Sequence, residues 1–211
     1  SQIDVIDDIG LDIQEAGDEI HLGVKANGFE GGELAFPNGK AKPFPTRRTP
    51  GGQQTRVVTS ETAKEKIEKI ASKPVLQGTE VPQFLQNPEA FLPEGIDLKD
   101  FSDRVRGFHT QVYNSRPYLH VNKEPRGWLN FDVGVKLDSV LGDGTEEARN
   151  ISSDDFAHLV EEAKATGERF VRHGDGWVEI DHHSSDQFIS TIDKLNEFRS
   201  REPRPTARVF L

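Results

Sequence analysis

Between Trp128 and Leu137 the chain alternates without a break. Leu129, Phe131, Val133, Val135 and Leu137 are apolar, and Asn130, Asp132, Gly134 and Lys136 separate them. Successive side chains of an extended chain point to opposite sides, so this period of two predicts a strand with one buried face. The 211-residue sequence has no cysteine. A disulfide framework, a thiolate zinc site, iron–sulfur ligation and a cysteine nucleophile are therefore excluded, and the fold rests on packing alone. No apolar run approaches the roughly 20 residues of a spanning helix, and the opening SQIDVIDDIG has neither the basic start nor the apolar core of a signal peptide. The sequence thus reads as a soluble, cytoplasmic chain with no membrane contact. It also lacks methionine, opens on Ser1 and stops on Arg208-Val209-Phe210-Leu211, which leads us to expect a piece excised from a longer protein.

Charge is segmented. Residues 1 to 35 carry nine acids against the single base Lys25, whereas residues 36 to 60 carry five bases and no acid, within a formal net charge of -10. Ile20, Leu22 and Val24 alternate with polar residues before Asn27-Gly28, a strand and turn; Ala35 to Gln54, with Asn38-Gly39 and Pro50-Gly51-Gly52, reads as a loop. Residues 1–58 are expected to form a β-rich lobe or extended arm. Residues 59–211 are expected to form an α+β domain with a small mixed or antiparallel sheet and three or so short helices.

The helix signals are local. Ser60 precedes Ala63, Ile67, Ile70 and Ala71 at helical spacing, and Lys73-Pro74 stops the run. Prolines 74, 82, 88 and 93 then restrict the chain to short helical turns. Ser152 or Ser153 caps a helix with the stripe Phe156, Leu159, Val160 and Ala163, ended by Gly167. Gly174-Asp175-Gly176 joins Phe170–Arg172 to Trp177–Ile180 as a hairpin. Ser184 and Gln187 form a capping box for a helix carrying Phe188, Ile192, Leu195 and Phe198. Arg208 to Leu211 begins a further strand.

Candidate chemistry is sparse. Asp181-His182-His183 matches the short signature of the Asp-His-His phosphoesterases and supplies donors for a divalent metal. The same run also reads as the polar link between a hairpin and a helix. No G-x-S-x-G or G-x-x-x-x-G-K-[S/T] motif is present, and the carboxylates of Asp138 to Glu147 do not have the spacing of a calcium loop. Residues 99 to 126 hold six bases against three acids, with Phe108, Tyr113, Tyr118 and Trp128 interleaved or adjacent. Arginine on phosphate and aromatics on bases are the ingredients of nucleic-acid contact. Arg47, Arg48, Arg104, Arg106, Arg116, Arg126 and Trp128 are the candidate contacts. The overall negative charge opposes a polyanion unless the acids lie elsewhere, so a core or a protein interface is the competing reading of the aromatics.

Two longer stretches bear a likeness. Val81-PQFLQNPEAFLPEGIDLKDFSDRVRG-Phe108 resembles the segment upstream of the motor in bacterial helicase-like ATPases of the Swi/Snf family. Gly127-WLNFDVGVKLD, followed by ISSDDFAHLVEEAKATGERFVRHGDGWVEID, resembles the accessory region of the same proteins. The resemblance implies a non-catalytic N-terminal accessory domain of an ATP-dependent DNA translocase, with no cofactor of its own. Double-stranded DNA, the motor lobes of the same parent chain and a protein partner are the implied contacts, in DNA maintenance or defence. None of the family's nucleotide or magnesium motifs has a counterpart here. A protein-interaction module and a metal-dependent phosphoesterase stand as the alternatives.

Overall fold

The computed structural model describes residues 3–26, 33–34, 47–48, 54–201 and 208–210. The fold is α+β, and the chain divides into two compact units, Ser1–Phe108 and His109–Leu211.

The first unit contains β1 (Ile3–Ile6), β2 (Ile9–Ala16), β3 (Glu19–Ala26), β4 (Glu33–Leu34), β5 (Arg47–Arg48), β6 (Gln54–Thr59), α1 (Glu61–Ala71), β7 (Val75–Leu76), α2 (Glu80–Gln86) and α3 (Phe101–Arg106). Strands β2 and β3 form an antiparallel hairpin in which Ile13 faces Leu22 and Leu11 faces Val24. These side chains are buried, as are Ala63, Ile67 and Ile70 on α1, which packs on the hairpin. Both β4 and β7 pair with β3. A second, three-stranded sheet has β1 parallel to β6, with β5 antiparallel on the far side of β6.

The expected boundary after residue 58 is displaced. Ser60 caps α1 through its hydroxyl, which accepts the Ala63 N–H at 3.2 Å, while its own N–H donates to the Ile6 carbonyl at 2.9 Å. Since β7 extends the β3 sheet, residues 59–108 belong with the N-terminal strands. The compositional change near 58 marks the passage from strand to helix inside one unit. The expected loop of residues 35–54 contains β5; the turn signals at Asn27-Gly28, Asn38-Gly39 and Pro50-Gly51-Gly52 lie outside the described residues.

The second unit contains β8 (Gln111–Lys123), β9 (Trp128–Ser139), β10 (Arg149–Ile151), α4 (Ser153–Thr166), β11 (Phe170–His173), β12 (Gly176–Glu179), α5 (His182–Arg201) and β13 (Arg208–Phe210). The sheet runs β10-β9-β8-β12-β11, and β13 also pairs with β9. Among the described pairs of this sheet only β12–β8 is parallel. Val135 and Leu137 of β9, Tyr113 of β8 and Val178 of β12 form one core with Phe156, Leu159, Val160 and Ala163 of α4. The α4 stripe is buried because its spacing puts all four residues on one side.

The Ser152 hydroxyl accepts the Asp155 N–H at 3.1 Å, and Gly167 ends α4 at φ 71°, a conformation glycine adopts without steric cost. The expected capping box at Ser184 and Gln187 is not what starts α5. The Asp181 carboxylate accepts the N–H groups of His183 and Ser184 at 3.1 and 3.5 Å, so the cap lies three residues earlier and the helix begins at His182. Carboxylates favour a helix N-terminus for both hydrogen-bonding and dipole reasons. Among the described residues no helix is long and apolar enough to cross a membrane.

Candidate nucleic-acid interface

Strands β8 and β9 pair from Tyr113↔Ser139 to Lys123↔Leu129, making a two-stranded ribbon closed by Glu124–Gly127. The Glu124 N–H donates to the Trp128 carbonyl at 2.7 Å across this turn. Arg126 holds φ at 75°, the sole positive φ among the described non-glycine residues, and is exposed at the tip. A left-handed backbone on a residue with a Cβ costs roughly 1–2 kcal/mol, and the short turn imposes it.

The ribbon outruns the rest of its sheet on one side. Strand β12 pairs with β8 only as far as Glu179↔Asn114. The next residue, Ser115, turns its hydroxyl to the Glu179 carbonyl at 2.9 Å and takes the acceptor that a longer ladder would use. The ribbon's two faces differ. On one, Ser115, Pro117, Leu119, Val121 and Lys123 lie opposite Leu137, Val135, Val133, Phe131 and Leu129. Val135 and Leu137 are covered by the core, but further out Leu119 and Val121 are 39% and 51% exposed.

The other face carries polar chemistry. Arg116, Tyr118, His120 and Asn122 lie opposite Lys136, Gly134, Asp132 and Asn130. Tyr118 crosses onto Gly134: a Cβ at residue 134 would fall 2.7 Å from the Tyr118 hydroxyl. That close approach requires glycine and keeps the phenol ring low on the sheet. The Tyr118 ring lies 5.2 Å from the His120 ring, and the Lys136 ammonium sits 5.6 Å from the Tyr118 centroid. Arg116 binds Asp138 through two contacts at 3.1 and 3.3 Å, an exposed pair whose hydrogen bonds raise the guanidinium pKa above its ordinary value. Such exposed pairs contribute little and exchange readily for other anions.

The seven nucleic-acid candidates are thus not gathered into one patch. Arg116, Arg126 and Trp128 share the ribbon. Arg104 is committed inside the first unit, where its guanidinium donates to the Leu11 and Ile13 carbonyls, both at 3.2 Å, and to the Asp12 carboxylate at 2.9 Å. It fastens α3 to β2. Arg106 pairs with Asp103 on its own helix at 3.2 Å. Arg47 and Arg48 form β5, and their side chains lie outside the described residues. His120, Lys136 and Gly134 were not singled out by sequence, because nothing local marks them; strand register alone brings them to Tyr118.

Asp181 caps α5, and His182 and His183 occupy its first turn, with His183 Nε2 3.3 Å from the Gln187 amide. Among the described residues no three His, Asp or Glu side chains converge as metal ligands. At the base of the ribbon, Arg149 grips Asp175 through contacts at 3.1 and 3.2 Å and lies 5.2 Å from the centre of the Tyr113 ring. The Tyr113 hydroxyl donates to the same carboxylate at 3.4 Å. Burial first, and the Asp175 charge second, push the Tyr113 pKa above its usual 10.0. This cluster pins the β11–β12 turn to β8 and β10. A cleft of about 60 Å³ beside Arg104 is lined by Lys25, Asp97, Asp100 and Phe101.

No protein-family model, no curated protein and no solved structure matches the chain.

Proposed function

We propose that this chain is a non-catalytic accessory module of a Swi/Snf-type ATP-dependent DNA translocase, and that its β8–β9 ribbon engages double-stranded DNA beside the motor. The observation that carries the DNA reading is that Arg116, Arg126 and Trp128 lie along one ribbon that also bears the Tyr118–His120 pair and Lys136. A two-stranded ribbon fits a major groove, and exposed cations on it meet phosphates. The translocase context rests on the two stretches within residues 81–181 that resemble the region upstream of such a motor. A location in the bacterial cytoplasm, and a role in DNA maintenance or defence, belong to the same proposal.

The test is binding of a fluorescein-labelled 20-base-pair duplex, followed by anisotropy from low to moderate salt. Affinity is expected to fall steeply with salt, and Arg126→Ala should reduce the slope of log K against log salt by about 1. Absence of binding at low salt would remove the DNA role. Appreciable ATP hydrolysis by the isolated chain would overturn the non-catalytic reading. Exposure of Leu119 and Val121 favours a second reading, in which the ribbon serves a protein partner and duplex binding is undetectable.

A further inference from the structure

Among the described residues the outer edge of β8 has no strand partner beyond Asn114, and its chemistry is self-complementary. The Val112 carbonyl accepts the Val140 N–H at 2.9 Å on the β9 side, whereas the Gln111 N–H donates to the Asp175 carbonyl at 3.4 Å on the β12 side. Backbone groups alternate along a strand, so Pro117, Leu119, Val121 and Lys123 turn theirs away from β9. Among the described strands none pairs with β8 on that side past Asn114. Pro117 has no N–H to offer, and Pro125 likewise has none beyond Lys123. What remains is a window from Leu119 to Lys123 whose outward donors and acceptors have no strand partner among the described residues, bounded by prolines equidistant from Val121.

We propose that two copies of the chain pair antiparallel through this free edge of β8, with the two-fold axis at Val121. In that register Val121 faces its own copy and Leu119 faces Lys123 of the second copy. About six backbone hydrogen bonds form, since each directly facing pair exchanges two. The donor-less prolines fall opposite one another, so neither strands a partner. No like charges meet inside the window: on the polar face His120 lies across from Asn122, and Tyr118 across from Glu124. The second ribbon's tip reaches only the stretch where β12 has already ended, and the slot along β8 has the length of the ribbon that fills it. The exposed Leu119 and Val121 side chains gain apolar neighbours in the same step. Lys123 and Pro117 are devices that commonly guard an edge, and here they narrow the window without closing it. The contact is independent of DNA binding.

A strand pair this short buries less than the roughly 1,200 Å² of a stable complex, so the association is weak and reversible. Sedimentation velocity on the full chain without DNA, up to about 1 mM, should show a monomer–dimer equilibrium with Kd on the order of 100 μM. Net charge of -10 on each copy makes it tighten with salt, the opposite of DNA binding. Val121→Asp and Val121→Lys each place like charges on the axis and should be monomeric throughout; an equal mixture of the two should dimerise. Val121→Pro removes an edge donor that β9 does not use and should also be monomeric. A wild-type chain monomeric at about 1 mM overturns the proposal. So does a dimer that survives Val121→Asp, or a mixture of the two charge variants that stays monomeric.

Discussion

The two halves of β8 obey the same backbone rules and meet opposite fates. From Gln111 to Asn114 the strand is paired with β12, and on its other edge the Val112 carbonyl accepts the Val140 N–H and β9 pairs from Tyr113 onward; Val112 and Tyr113 are 0% and 4% exposed. From Ser115 onward only β9 flanks it among the described strands, and Val121 is 51% exposed. The difference does not arise from hydrophobicity, since Leu119 and Val121 are as apolar as Val112. It arises from where β12 stops: the Ser115 hydroxyl takes the Glu179 carbonyl, and Pro117 has no donor with which to continue the ladder. The inner half contributes to stability, and the outer half is left available for contact.

Substitutions should separate the two halves sharply. The largest effect is expected at the inner end of the unit: Phe156→Ala empties a fully buried site in the core shared by α4 and the sheet. It should cost about 3–5 kcal/mol in urea denaturation, and an equally large effect from Leu119→Ala would break the contrast. Next comes Arg104→Ala, which removes three charge-assisted hydrogen bonds within the first unit. A loss of about 2 kcal/mol with no change in duplex affinity is expected, because this arginine is already committed. Gly134→Ala should cost about 1 kcal/mol and displace the Tyr118 ring, visible as altered ring-current shifts at His120.

A smaller, pH-dependent effect distinguishes the base of the ribbon. The folded Tyr113 pKa is raised, so the folded state holds this proton more tightly than the unfolded state. The contribution to stability is complete below 10.0 and is lost as pH rises through the higher folded value. Tyr113→Phe should flatten the alkaline limb of the stability curve. Smallest of all, Arg116→Ala on the exposed part of the ribbon should leave the denaturation midpoint unchanged and act only on duplex affinity.

The sequence made local structure legible where one residue type carries one physical role. Ser60 and Ser152 as caps, Gly167 as a helix stop, the Phe156–Ala163 stripe and the Trp128–Leu137 alternation each reappear in the fold. The α5 start was misread because Ser184 and Gln187 match a capping pattern that the Asp181 carboxylate pre-empts. Strand β8 is hidden in the sequence, since Pro117 interrupts the extended pattern and the basic and aromatic residues alternate with no apolar period. Arg104 and Arg116 look equivalent in such a stretch, yet one is fastened to β2 and the other lies exposed on a ribbon.

Composition and periodicity by themselves determined an α+β chain without covalent cross-links, its helix ends and its central strand, because those depend on neighbours a few residues apart. Only the tertiary structure decided which arginines are occupied, that residues 59–108 join the N-terminal strands, and which edge of β8 has no partner among the described strands past Asn114. These outcomes depend on partners far along the chain, whose register is set when the strands meet.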